Sequence, residues 1–161
     1  MDKDFDLFEK VLSLINSNGE LLKEKLSNKT ISFLADYKIP NGITGFLNRF
    51  SFERAIRFKH VSFYQVNEMP DENLYEQNQR CIAEKLLIIG WGLNGDFIVL
   101  DLENLKVGYV FHDDLWEDES VNPRDIFINL NCSIGEFYYN AITVEDFPVD
   151  GYEAEKFIEN N

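Results

Sequence analysis

His112 followed directly by Asp113 is the pairing in this chain closest to catalytic chemistry, because a carboxylate beside an imidazole can orient it as a general base. No Gly-x-Ser-x-Gly elbow or reactive-cysteine signature accompanies it, and the other histidine, His60, is far away in sequence. A histidine closing a strand serves equally well as a structural hydrogen-bonder, and that is the preferred reading. Gly90-Trp91-Gly92-Leu93-Asn94-Gly95 has glycines at the first, third and sixth positions of the dinucleotide fingerprint. That fingerprint must open a helix whose N-terminus holds a pyrophosphate, whereas Asp96-Phe97-Ile98-Val99-Leu100 reads as a strand. The Asp96 carboxylate would also repel phosphate. No Gly-x-x-x-x-Gly-Lys-Ser/Thr loop is present. Cys81 and Cys132 form no Cys-x-x-Cys pair, so two reduced thiols are expected rather than a disulfide or a metal site. The residues nominate no enzyme, no cofactor and no metal ion.

A different chemistry is written between His112 and Glu119. Asp113, Asp114, Glu117, Asp118 and Glu119 surround Trp116, without the alternate spacing and central glycine of an EF-hand loop. They read as a solvated or partner-facing acidic loop. Trp116 is either an interface anchor, since aromatic residues dominate binding hot spots, or a residue folded back onto the core. The charge is also uneven along the chain. Residues 1–80 hold 11 Lys/Arg against 12 Asp/Glu, and residues 81–161 hold 4 against 17, within a total formal charge of −14. Such a field repels nucleic acid and anionic membrane and speeds encounter with a basic partner; acidity that merely aids solubility is the competing reading. Arg54, Arg57 and Lys59 form the one dense basic patch, read as a solvated face rather than an anion site.

The elements that must position these residues follow from pattern. Leu86–Gly90, Phe97–Leu100 and Val107–Phe111 are β-rich runs separated by Gly/Asn/Asp clusters, which predicts an antiparallel meander. Gly92 and Gly95 are expected in the first turn, at least one of them at positive φ. Leu87, Ile89, Ile98 and Leu100 should share one face. Further strands are expected at Ile43–Phe50 and Val61–Val66. Helical spacing predicts a helix from Asp4 to Asn16, with Phe5, Phe8, Val11 or Leu12, and Ile15 inward and Asn18-Gly19 as its stop. Glu20–Leu26 is expected as a second short helix. Thr30–Tyr37 follows as another, with Ile31, Leu34 and Ala35 inward and Pro40 ending it. Asn67–Gln79 reads as a surface loop or short helix. Ser133-Ile134-Gly135-Glu136 matches a capping box opening a helix to about Ile142, and Asp150-Gly151 precedes a last amphipathic stretch.

The expected class is α+β: a mostly antiparallel twisted sheet of five or six strands with helices packed against it. At 161 residues, 45% hydrophobic and 14% aromatic, the chain fits one domain with a substantial core. No apolar run approaches the roughly 18 residues of a membrane span. The acidic start, Met1-Asp2-Lys3-Asp4, has no signal-peptide pattern, so a cytoplasmic location is expected.

Leu86 to Gly90, Gly95-Asp96 with Phe97-Ile98-Val99-Leu100-Asp101, Val110-Phe111-His112-Asp113 and Ser133-Ile134-Gly135-Glu136-Phe137 occur in an order that resembles the SUKH superfamily. That superfamily includes the yeast cell-wall glucan-synthesis regulator domain and many bacterial immunity proteins. Ile31 to Tyr37 is similar to its early helix, and the likeness spans Thr30 to Ile142, leaving the N-terminal helix and C-terminal tail as extensions of a single domain. Pro40-Asn41-Gly42 departs from the family's Asn-Gly-Gly-type turn. The resemblance implies a non-enzymatic protein that binds a toxin, often a nuclease, in the cytoplasm. The expectation drawn from charge and resemblance together is an immunity protein that masks a basic toxin domain through Asp113, Asp114, Trp116, Glu117, Asp118 and Glu119. The alternative is a regulatory scaffold of the cell-wall type, and a small hydrolase using His112 is the third reading.

Overall fold

The computed structural model describes residues 1–15 and 20–161. Six strands run in sequence order as one antiparallel meander: β1 (Ile56–Phe58), β2 (Val61–Phe63), β3 (Leu86–Trp91), β4 (Phe97–Asp101), β5 (Lys106–Val110) and β6 (Phe127–Cys132). Every neighbour pair is antiparallel, as the three glycine-punctuated runs demanded, and the parallel sheet a dinucleotide site needs is absent from this sheet. Gly95 has φ +90°, so the β3–β4 turn uses a conformation that a Cβ would strain.

The sheet is buried on both sides. Leu87, Ile89, Ile98, Leu100, Val107 and Tyr109 share the face with the larger core. Their alternates, Leu86, Ile88, Phe97, Val99 and Val110, are also buried, in a second, smaller core. The period-two pattern therefore divides two apolar faces instead of one apolar and one wet face. The larger core is covered by α1 (Asp2–Leu14), α3 (Asn41–Arg49) and α8 (Ile134–Thr143). Phe8 of α1 is fully buried and meets Phe46, Phe50, Phe58, Phe63 and Tyr138 with centroids 4.5–5.5 Å apart. Truncating such a ring to alanine costs about 3–5 kcal/mol. The N-terminal helix is thus a core element. Its register is fixed by the buried Asp4, whose Oδ1 accepts from Gly135 N at 2.8 Å at the start of α8. The capping box of α8 forms as its sequence specifies. The expected Asn18-Gly19 stop, and the end of the expected helix at Asn16, lie outside the described residues.

Four expectations are corrected. Ile43–Phe50 is not a strand: Asn41–Arg49 is helix α3, with Ile43, Phe46 and Leu47 buried and Phe50 closing the stripe. The i, i+3, i+4, i+7 spacing outweighs the β-branched residues, and Pro40, at the N-cap, starts this helix. Glu20–Leu26 is not a helix; Lys23 bridges Phe52, with Glu24 N bonded to Ser51 O at 2.9 Å and Glu53 N to Leu22 O at 2.9 Å. Those backbone groups find partners across the chain instead of along it. Helix α2 (Asn28–Asp36) exists, but Thr30, Phe33 and Leu34 are its buried side, while Ile31 and Ala35 are exposed. Its face is rotated because Thr30 Oγ1 donates to Asn67 Oδ1 at 2.8 Å, docking it through a polar contact. Strand β2 also stops at Phe63, three residues before Val66, where a 3₁₀ turn (Val66–Glu68) begins.

Two polar devices finish the sheet. Past Tyr64, β2 leaves the edge of β3, and Asn73 of α4 (Met69–Leu74) takes its place. Asn73 accepts from Ile88 N at 2.8 Å and donates to Ile88 O at 2.9 Å, satisfying both groups of a buried edge residue. At the other end of the meander, Asp101 closes β4 against Arg124 of α7 (Pro123–Ile126) with two bonds of 3.1 and 3.0 Å. Among the described residues no helix is long and apolar enough to cross a membrane.

Two measurements check these local assignments. Gly95→Val should lower unfolding free energy by roughly 1–3 kcal/mol in urea titrations, because a branched Cβ is forced into positive φ. Burial raises the Asp101 carboxyl, but bonds from Arg124 and from Glu103 N, with the Arg124 charge, outweigh it and hold the group below the ordinary range. A carboxyl depressed in the folded state stabilises fully above its unfolded value of about 3.9 and loses that contribution as pH falls through the folded value. Asp101→Asn should therefore weaken the protein at pH 7, with the difference from the parent shrinking below about pH 4.

Candidate functional site

The acidic stretch expected as a loop is mainly a short helix, α6 (His112–Glu117), followed by a turn. Its N-terminal residue is fixed by a buried carboxylate. Asp96, at the end of the β3–β4 turn, accepts from His112 N at 3.3 Å and lies 2.9 Å from His112 Nδ1. On the ring's other side, Asp113 Oδ1 sits 3.0 Å from Nε2. Both imidazole nitrogens are therefore occupied by carboxylates, and the ring acts as a strut between the turn and α6. His60 sits in the β1–β2 turn, so the two histidines do not converge. Leu115 points inward, fully buried in the smaller core, which leaves its neighbours to solvent.

Asp113, Asp114, Glu117, Asp118 and Glu119 are all exposed. Trp116 stands among them at 42% exposure and is nonetheless held. Its Nε1–H donates to Asn78 Oδ1 at 2.9 Å, and its ring meets His112 at 5.3 Å and Phe97 at 6.1 Å. One edge of this residue is tied to the fold and the remainder faces out. Asn78 is itself buried and donates to Glu72 O at 3.0 Å.

Arg80, in α5 (Gln79–Ala83), organises the rest of the segment. Its Nη1 faces the carbonyls of Asp118 at 3.2 Å, Glu119 at 3.1 Å and Val121 at 2.6 Å, and Nη2 donates to Leu115 O. A guanidinium gathers the carbonyls at the end of α6 much as a C-cap would. Asp118 closes the turn by accepting from Ser120 N at 2.9 Å and Ser120 Oγ at 2.6 Å. These bonds, hydroxyl first, hold its carboxyl below the usual range, so it is a carboxylate at neutral pH. The acidic surface is a built structure with a cationic core.

Tyr75 and Trp116 line two clefts in common. One, of about 450 Å³, includes Arg80, Leu115 and Glu119. The other, of about 560 Å³, includes Tyr64, Glu72, Trp91 and Phe97. The sequence had singled out Trp116, but nothing in it singled out Asn78, Arg80, or Tyr64 and Glu72 of the second cleft; Tyr75, an aromatic in the polar Asn67–Gln79 stretch, was the available signal.

The other candidates take structural parts. Arg57 Nε donates to Lys59 O at 3.0 Å and Lys59 Nζ to Ile142 O at 3.0 Å, so these cations of the basic patch serve the β1–β2 turn. Cys81 and Cys132 are free and buried in different cores, and burial pushes each thiol up to about 12, far from a reactive thiolate. Among the described residues no three His, Cys, Asp or Glu side chains gather to hold a metal ion. No family model matches the chain, and neither a curated protein nor a solved structure matches it significantly.

Arg80→Ala tests the construction. Removing the guanidinium leaves the carbonyls of residues 115–121 without their donor, at an expected cost of about 1–3 kcal/mol. Amide exchange should accelerate within residues 115–121 and remain unchanged in β3–β5, as read by hydrogen–deuterium exchange.

Proposed function

We propose that this chain is a binding protein of the immunity type, masking a basic toxin domain through the face built by α6 and its following turn. The observation that carries the reading is five exposed carboxylates around a half-exposed tryptophan whose indole N–H is already anchored to Asn78. An aromatic side chain fixed before contact loses little entropy on binding, which is what a hot spot requires. The carboxylates supply steering. A nuclease must hold phosphates with cationic residues, and a surface of clustered carboxylates mimics that substrate. The resemblance to the SUKH superfamily supports the same reading and favours a cytoplasmic, non-enzymatic protein. His112, with both nitrogens engaged, supports it too, because a general base needs one nitrogen directed at a substrate.

The test begins with the genes flanking this one. A toxin gene directly upstream supports immunity, and its absence moves the reading to the regulatory scaffold. Association with that toxin domain is then followed by stopped flow and surface plasmon resonance. Converting Asp113, Asp114 and Asp118 to Asn, with Glu117 and Glu119 to Gln, should slow association and flatten its salt dependence. Trp116→Ala should act on the off-rate and cost about 2 kcal/mol of binding or more. Its thermal unfolding is measured in parallel, since the Asn78 bond is lost as well. Variants that protect cells as well as the parent does would sink the assignment of this face.

A further inference from the structure

The larger of the two clefts has aromatic walls. Tyr64 and Trp91 pack with ring centroids 4.8 Å apart, while Phe97 meets Trp116 edge to face. Tyr75, 54% exposed, stands at the rim. Into this space comes Glu72 of α4, half-buried, with the Tyr64 hydroxyl donating to its Oε2 at 3.5 Å. Burial lifts the Glu72 carboxyl above its ordinary range; the Tyr64 bond opposes the lift, and the carboxylates of Glu68 and Asp71 add to it. A cation seated in the cleft would reverse that effect.

None of the residues lining the cleft is Lys, Arg or His. Among the described residues, none of the ion pairs includes Glu72, and the nearby Lys29 is engaged by Asp71. The adjoining cleft differs, because Arg80 lies in its wall and would repel a second cation. Electron-rich ring faces beside an uncompensated carboxylate are complementary to an organic cation. Between the two cationic side chains of proteins, the choice falls on arginine. Its planar guanidinium is weakly hydrated, stacks on aromatic faces and pairs with a carboxylate through two parallel bonds.

We propose that the cleft between α4, the β3–β4 turn and α6 receives one arginine side chain of the protein partner, stacked on the aromatic wall and paired with Glu72. The assignment rests on the partner-binding reading of the acidic face and specifies where one partner residue sits. Trp116, lining the cleft and standing among the acids, makes the two surfaces continuous.

The experiment uses the full chain, isotope-labelled, titrated with acetyl-Gly-Arg-Gly-amide and followed by NMR. The citrulline analogue, which keeps the shape and loses the charge, is titrated alongside. Saturable shifts of the Trp91 and Trp116 indole N–H signals are expected with the arginine peptide. The citrulline peptide should bind about tenfold more weakly, as should the arginine peptide to Glu72→Gln, whereas Glu155→Gln on the C-terminal helix should bind as the parent does. The citrulline comparison needs no variant, so it stands even if Glu72→Gln fails to fold. Equal binding of the two peptides, or a folded Glu72→Gln protein that binds the arginine peptide as the parent does, overturns the proposal. Loss of arginine selectivity while the toxin still associates overturns the cleft alone. Arginine-selective binding in a chain with no toxin partner supports the cleft and overturns the partner reading.

Discussion

One buried carboxylate, that of Asp96, holds together the parts that make the proposed binding face coherent in space. It is 1% exposed, and an ionised carboxylate so placed costs several kcal/mol unless donors surround it. Three are supplied: His112 N, His112 Nδ1 and, at 2.9 Å to Oδ2, Gly151 N at the start of α9 (Gly151–Glu159). The β3–β4 turn, the junction from β5 into α6 and the C-terminal helix therefore meet at a single side chain. Gly151 belongs there because a Cβ would lie 2.5 Å from the Phe111 ring and 2.9 Å from Asp96 itself. Through His112 the constraint passes to Trp116, whose ring packs against the imidazole. The direction in which α6 presents its acids follows from this anchor.

The two cores differ in size, and so do the helices that cover them. Long helices and an aromatic cluster seal the larger core, with Tyr138 donating to Ser62 O and Tyr109 to Pro148 O so that even its phenols are satisfied. The smaller core is roofed by short helices, α5, α6 and α7, whose buried contributions include Cys81 and Leu115. Short helices leave gaps at their ends. Tyr64, Tyr75, Trp91 and Trp116 line such a gap beside the buried Phe97.

Charge follows the same logic. Arg80 is turned toward carbonyls, Arg124 toward Asp101, and Lys59 toward Ile142 O. These cations spend their hydrogen bonds within the fold, while the carboxylates of residues 113–119 stay at the surface. Those exposed acids belong to the half of the chain that holds four basic residues against seventeen acidic ones, so the field at this surface is negative.

What the sequence by itself determined were the features set by neighbours a few residues apart. The glycine-broken runs dictated the meander, Gly95 its positive-φ turn, Ser133 and Glu136 their capping box, and the spacing of Phe5, Phe8 and Val11 the N-terminal helix. The segment of α3 reads as a strand, although the period of Ile43, Phe46, Leu47 and Phe50 is that of the helix it forms. The acidic segment and Trp116 stood out for the same local reason. Only the tertiary structure decided the rest, because the partners are remote along the chain: 16 residues separate Asp96 from His112, 38 separate Asn78 from Trp116, and 55 separate Asp96 from Gly151. Composition and period carry no record of such pairings. Hydrogen bonds and ring contacts of that span form only once burial of the apolar runs has brought the backbone into register, and they turn a run of acids into a surface with a shape.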